Sequence, residues 1–139
     1  MMKTIFSRII EREIPAYIVY EDTLVIAFLD ISQSTKGHTL VVPKKAYANL
    51  FEMPDDLAAH VMKISIKLAK AIKLAFNPLG LNLLNNNGEI AGQSVFHFHM
   101  HLIPRYEKDG VTMHFANHMN ELDPEEYKKR ANQITSALS

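Results

Sequence analysis

Between Gln93 and Arg105 the chain reads Gln-Ser-Val-Phe-His-Phe-His-Met-His-Leu-Ile-Pro-Arg, placing histidines at 97, 99 and 101 with apolar residues interleaved. Spacing by two belongs to an extended strand, whose successive side chains point to opposite faces. His97, His99 and His101 therefore share one face, and Phe96, Phe98, Met100 and Leu102 share the other. Neighbouring imidazoles on such a strand lie about 7 Å apart, close enough to converge on one small anionic group. With 7 histidines in 139 residues, a His-x-His-x-His run arises by chance with a probability of roughly 2%. The pattern thus points to a reaction centre, whereas His60, His114 and His118 read singly as structural residues.

Composition narrows what that centre can be. The chain has no cysteine, which removes disulfides, thiolate catalysis and every Cys-ligated metal scheme. Fifteen lysines and arginines balance fifteen aspartates and glutamates, so no basic field argues for nucleic acid. A content of 47% hydrophobic residues in this length fits a single domain over 1–139. Charge interrupts the Met1–Glu11 segment too early for a signal peptide, and nothing later reaches the length of a membrane span. The expectation is a cytoplasmic protein that binds neither membrane nor nucleic acid.

Periodicity supplies the frame. Ile5, Phe6, Ile9 and Ile10 recur at helical spacing before Pro15. Tyr17–Glu21 and Leu24–Leu29 read as a hairpin about Asp22-Thr23, and Thr39–Val42 as a third strand stopped by Pro43, with Asp30 and His38 at the ends. Pro54-Asp55-Asp56 is a helix start, and the predicted helix runs to Phe76 with Leu57, Val61, Ile64, Leu68, Ala71 and Ala75 as its buried stripe. Lys63, Lys67, Lys70 and Lys73 populate its solvated side. Leu81–Leu84 is a fourth strand, Asn85–Gly88 a turn, and Asp123-Pro124-Glu125-Glu126 begins a last helix with Tyr127, Ala131, Ile134 and Leu138 as its stripe. This order implies an α+β fold, a mostly antiparallel sheet of about five strands with helices packed against it.

A neutral imidazole is a competent nucleophile, and attack on phosphorus gives a phosphoramidate-type intermediate that water can hydrolyse. The central His99 is best placed for attack, while His97 and His101 can fix its tautomer, bind phosphate oxygens and protonate a leaving group. Gln93, Ser94 and the amides near Gly92 add donors. The same spacing can instead chelate zinc, and His114 and His118 lie four apart, although no carboxylate stands within the triad strand. Both uses stay open on the residues alone.

The run His97–Ile103, preceded by Gly92-Gln93-Ser94-Val95, resembles the signature of the histidine-triad (HIT) family. Ile5–Ile10, Ile14-Pro15, Phe28–Ile31 and Gly37–Lys44 resemble that family's successive blocks in the right order, so the likeness covers about 4–105 and leaves a variable tail with a helix over about 106–139. The resemblance implies a nucleotidyl hydrolase, usually a homodimer whose two sheets join, that needs no cofactor. It would cleave purine nucleoside phosphoramidates or dinucleoside polyphosphates through a covalent nucleotidyl-histidine and release a nucleoside monophosphate. By the same resemblance His99 is the nucleophile, His101 contacts the phosphate and leaving group, and His97 and His38 support them. Asp30 binds the ribose hydroxyls; Ile5, Phe6, Ile9, Phe28 and Ile31 form the base slot; Asn86, Gly92, Gln93 and Ser94 form the phosphate loop. Some bacterial relatives bind zinc through a Cys-x-x-Cys pair where this chain has Thr4 and Ser7, so no metal is expected. Two other readings accompany the hydrolase: a nucleotide-binding regulatory module with incidental hydrolysis, and a zinc-dependent hydrolase.

Overall fold

The computed structural model describes residues 3–139; Met1 and Met2, which entered the leader argument, lie outside them. Helix α1 spans Ile5–Ile10 and is started by a capping box. The Thr4 hydroxyl accepts the Ser7 amide at 3.1 Å, and the Thr4 amide donates to the Ser7 hydroxyl at 3.3 Å. Strands β1 (Ile18–Glu21) and β2 (Val25–Leu29) form the hairpin. Its turn closes because one Asp22 carboxylate oxygen accepts the amides of Leu24 and Val25, each at 2.8 Å. Then follow β3 (Thr39–Pro43), α2 (Asp55–Phe76), β4 (Gly80–Leu84), β5 (Met100–Arg105) and α3 (Pro124–Ala137). The five strands form one antiparallel sheet, as the sequence suggested, and their order is β1-β2-β3-β5-β4.

Both faces of the sheet centre are covered, which is why β2 and β3 read as continuous apolar runs rather than alternating ones. Val25, Ala27, Val41 and Leu102 face α2 and pack with Val61, Ile64, Leu68 and Ile72. Ile26, Phe28, Leu40 and Val42 face the other way and pack with Phe6 and Ile9 of α1. No helix among the described residues is long and apolar enough to cross a membrane.

Three details depart from the sequence reading. The histidine strand begins only at Met100, so His97 and His99 precede it. Pairing stops there for a local reason. Pro43 has no amide hydrogen, its carbonyl is taken by the His97 ring at 2.8 Å, and the Phe98 amide bonds to Tyr47 instead. The two-face alternation nevertheless survives, with His97 and His99 turned towards α1 and Phe98 towards α2, while Phe96 is half exposed. On α2 the stripe continues through Ile72, four residues after Leu68, and Ala71 and Ala75 are exposed. Finally, α3 forms where expected, its Asp123 cap accepting the Glu126 amide at 2.9 Å, but buries none of its residues. Its stripe of Tyr127, Ala131, Ile134 and Leu138 stays exposed in the protomer.

The α2 register carries a direct expectation. Ile72→Ala should cost about 2–5 kcal/mol of stability by opening a cavity against the sheet, whereas Ala71→Ser should stay within about 0.5 kcal/mol. Urea denaturation of the two variants checks this, and equal losses would place the buried face elsewhere.

Candidate active site

A cavity of about 430 Å³ opens between α1, the end of β2 and the loop that leads into β5. Its apolar wall is built by Ile5, Phe6, Ile9, Phe28 and Ile31, and its polar end by Asp30, Asn86, Gly92, Ser94, His99 and His101. The capped turn of α1 presents Phe6 and Ile9 inwards, where Phe6 meets Phe28 edge-on at 5.6 Å and His99 at 4.8 Å between ring centres. Gly92 sits at φ +98°, a backbone region open to glycine, which lets the loop turn against the Asn86 side chain.

The imidazoles are held by backbone oxygens that can only accept. His99 Nδ1 lies 2.7 Å from the His97 carbonyl, so Nδ1 carries the proton and Nε2 is left as a bare lone pair. His97 Nε2 lies 2.8 Å from the Pro43 carbonyl and carries its proton there. His101 Nδ1 stands 3.0 Å from His38 Nε2, and a carboxylate oxygen of Asp30 lies 3.7 Å from that same His38 nitrogen. With the acid beside it, a proton on His38 Nε2 is favoured, which makes His101 Nδ1 the acceptor and puts the His101 proton on Nε2.

Burial, the largest influence, lowers the pKa of His38, His97 and His99 below the ordinary histidine value. Burial and the neighbouring His99 and His38 push His101 down to about 4. Burial would raise Asp30, but hydrogen bonds from Ser32 and the nearby imidazoles win, and its carboxyl is lowered. The site therefore presents neutral imidazoles beside one carboxylate near pH 7.

An imidazole with an open nitrogen stands at the end of an apolar slot, and residues 11–108 match the HIT domain family. The chain belongs to the HIT family. A crystal structure of a HIT family member from Bacillus subtilis superposes with a TM-score of 0.96 at 50% identity, covering 99% of each chain. The histidine triad nucleotide-binding protein of Candida albicans superposes with a TM-score of 0.83 at 33% identity, covering 96% of each. Adenosine 5'-monophosphoramidase hnt1 of Schizosaccharomyces pombe is 37% identical over 99% of each chain.

Within this HIT protein, eleven of the fourteen residues singled out from sequence line the cavity, and His38, His97 and Gln93 do not. The two histidines stand behind the lining ones. Gln93 is buried, its side-chain oxygen accepting the Gly88 amide at 2.8 Å and its nitrogen donating to the carbonyls of Ala48 at 2.7 Å and Val95 at 3.1 Å. Its side chain thus ties the loop to the scaffold rather than facing a phosphate. Ser32 was missed: its amide and hydroxyl both donate to one Asp30 oxygen, at 2.8 and 2.6 Å. The Asp-x-Ser spacing was the available signal. Ile14, Pro15, Ala16, Tyr17, Leu29, Leu40 and Val95 complete the lining; all but Ala16 and Tyr17 fall in the blocks that carry the resemblance, though none was given a site role.

For a metal, two places among the described residues come into question. Asp30, His38 and His101 have ligand atoms all within 4.8 Å of one another, a carboxylate-and-two-histidine set that only folding brings together. Thr4, Ser7 and His97 also meet, but two neutral hydroxyls and a nitrogen form a poor donor set for zinc. His97 cannot join His99 in a chelate while both its nitrogens are engaged.

The depressed imidazoles set a pH dependence of stability. Unfolded histidines bind protons at about pH 6.5 and the folded ones resist to lower pH, so stability is fully present above 6.5 and is lost as pH falls towards 4. The melting temperature should be flat between pH 7 and 8 and drop steadily from 6.5 to 4.5; a flat profile throughout would contradict buried neutral imidazoles.

Proposed function

We propose that the protein is a nucleotide-binding hydrolase that cleaves purine nucleoside phosphoramidates, or dinucleoside polyphosphates, through a nucleotidyl-His99 intermediate. The observation that carries this reading is His99 itself, whose Nδ1 proton is held by the His97 carbonyl while its Nε2 lone pair is free at the cavity. Support also comes from two relatives, one named as an adenosine 5'-monophosphoramidase and one as a nucleotide-binding protein.

The base lies in the apolar slot and the α-phosphate at its polar end. His99 Nε2 forms a bond to phosphorus as the bond to the leaving nitrogen or oxygen breaks. His101 enters this step as the imidazolium, its second proton taken up with the anionic phosphate and favoured by the Asp30 carboxylate behind His38, and it gives its Nε2 proton to the leaving atom and returns to the neutral ring. Water then attacks the phosphorus, returning a proton to His101, breaking the bond to His99 and releasing the nucleoside monophosphate. The Asp30 oxygen not filled by Ser32 is the acceptor for a ribose hydroxyl. No cofactor takes part in these steps.

We also propose a homodimer. Strand β4 is a sheet edge with Leu83 exposed, and Ile66 and Leu79 lie exposed in the adjoining groove. A second copy would cover that edge and its apolar flank. A cytoplasmic location belongs to the same proposal.

Two outcomes test the reading. Wild type should release adenosine monophosphate from adenosine 5′-phosphoramidate in the presence of chelator, and His99→Ala should lower kcat by roughly a thousandfold or more while still binding the nucleotide. Equal turnover by wild type and variant removes His99 as nucleophile; chelator-sensitive turnover favours a metal at Asp30, His38 and His101; tight binding without turnover favours a regulatory module. Separately, Asp30→Ala should weaken adenosine monophosphate binding by about tenfold, measured calorimetrically, and unchanged affinity would remove its ribose role.

A further inference from the structure

We propose that Thr4 is a positioning residue for the reaction, holding the His97 ring and through it the His99 nucleophile. The inference rests on the nucleotidyl-transfer reading and adds a residue to it. His97 is fully buried, and its Nε2 proton is committed to the Pro43 carbonyl at 2.8 Å. Its Nδ1 is therefore a bare acceptor, and the Thr4 hydroxyl lies 3.2 Å from it. That hydroxyl is the donor by elimination, since imidazole Nδ1 has no hydrogen left to give.

The Thr4 oxygen is aimed by the start of α1. It accepts the Ser7 amide at 3.1 Å, and the Ser7 hydroxyl stands 3.3 Å away with its own proton free to donate to it. A directed chain results: Ser7 to Thr4, Thr4 to His97, and His97 to Pro43, each donor polarising the next. The same residue then acts through its backbone, because the His97 carbonyl accepts the His99 Nδ1 proton at 2.7 Å. A His97 ring that rocks shifts this carbonyl and with it the line of attack of His99 Nε2. Phe6, two residues after Thr4, contacts the His97 and His99 rings edge-on with centres 5.9 and 4.8 Å apart. One helical turn thus seats the base and orients the nucleophile.

Thr4 also caps α1, so the test must separate the cap from the hydroxyl donor. Kinetics on adenosine 5′-phosphoramidate are compared for wild type, Thr4→Val, Thr4→Ser, Thr4→Asp and Ser7→Ala, with nitrogen-15 spectra of the imidazoles and melting curves for each. The expected result is that Thr4→Val lowers kcat by about ten- to a hundredfold with KM changed little. Its His97 Nδ1 resonance moves towards that of an unbonded nitrogen, and Thr4→Ser restores both rate and resonance. Ser7→Ala, which weakens the capping box and removes the outermost donor but leaves the Thr4 donor, should lower kcat clearly less than Thr4→Val does. If Thr4→Val fails to fold, Thr4→Asp decides, since a carboxylate still caps the helix but has no proton to donate to His97. A lowered kcat in folded Thr4→Asp supports the proposal, and an unchanged one overturns it. Losses confined to KM or melting temperature, or an equal loss of kcat in Ser7→Ala, would reduce Thr4 to a helix cap. Wild-type turnover with unaltered Thr4→Val kcat sinks this inference alone, whereas no wild-type turnover sinks the nucleotidyl-transfer reading with it.

Discussion

An imidazole has two nitrogens, and its chemistry depends on which one holds the proton. In this protein that choice is made by main-chain carbonyls, which accept and never donate. Pro43 settles His97 and His97 settles His99, so the second nitrogen of His99 is left open without any charged group touching it. Burial keeps the rings neutral, and neutrality keeps the lone pair available. The sheet, the cap of α1 and the loop before β5 all serve that placement: remove the carbonyl positions and three histidines remain that can titrate and rotate.

The order of strands and helices was legible because each element carries a strong local signal. Asp22 at a hairpin, Pro54 with two acids at a helix start and Asp123-Pro124 at another all appear where expected. The extent of the histidine strand was not legible, because its pairing fails through a proline on a neighbouring strand and a ring that captures that proline's carbonyl. That proline lies 54 residues before His97, outside the pattern of the triad. The α2 stripe drifted for a different reason: both Ala71 and Ile72 fit a helical period after Leu68, and only the sheet opposite chooses the larger one.

The site divides similarly. Residues that touch the cavity came mostly from contiguous blocks and could be read from them. The groups that set its electrostatics come from distant positions: His38 stands 63 residues before His101, and Thr4 stands 93 before His97. Gln93 is the reverse case, a polar residue in the loop before β5 whose side chain bonds three backbone groups. Polarity in sequence cannot distinguish a ligand contact from a strut.

Arg105 ends β5 with a clasp. Its guanidinium donates to Asp109 at 2.7 Å, to Asn82 at 2.8 Å and to the Val111 carbonyl at 2.9 Å, just past the sheet. The family match stops at 108, beside that clasp, and α3 beyond it buries no side chain. Side chains of α3 therefore add nothing to the buried core of the protomer. Upstream of the clasp lie both buried clusters and all the residues around the cavity. The architecture thereby sets a core that holds the histidines apart from a terminal helix that presents its whole surface outwards.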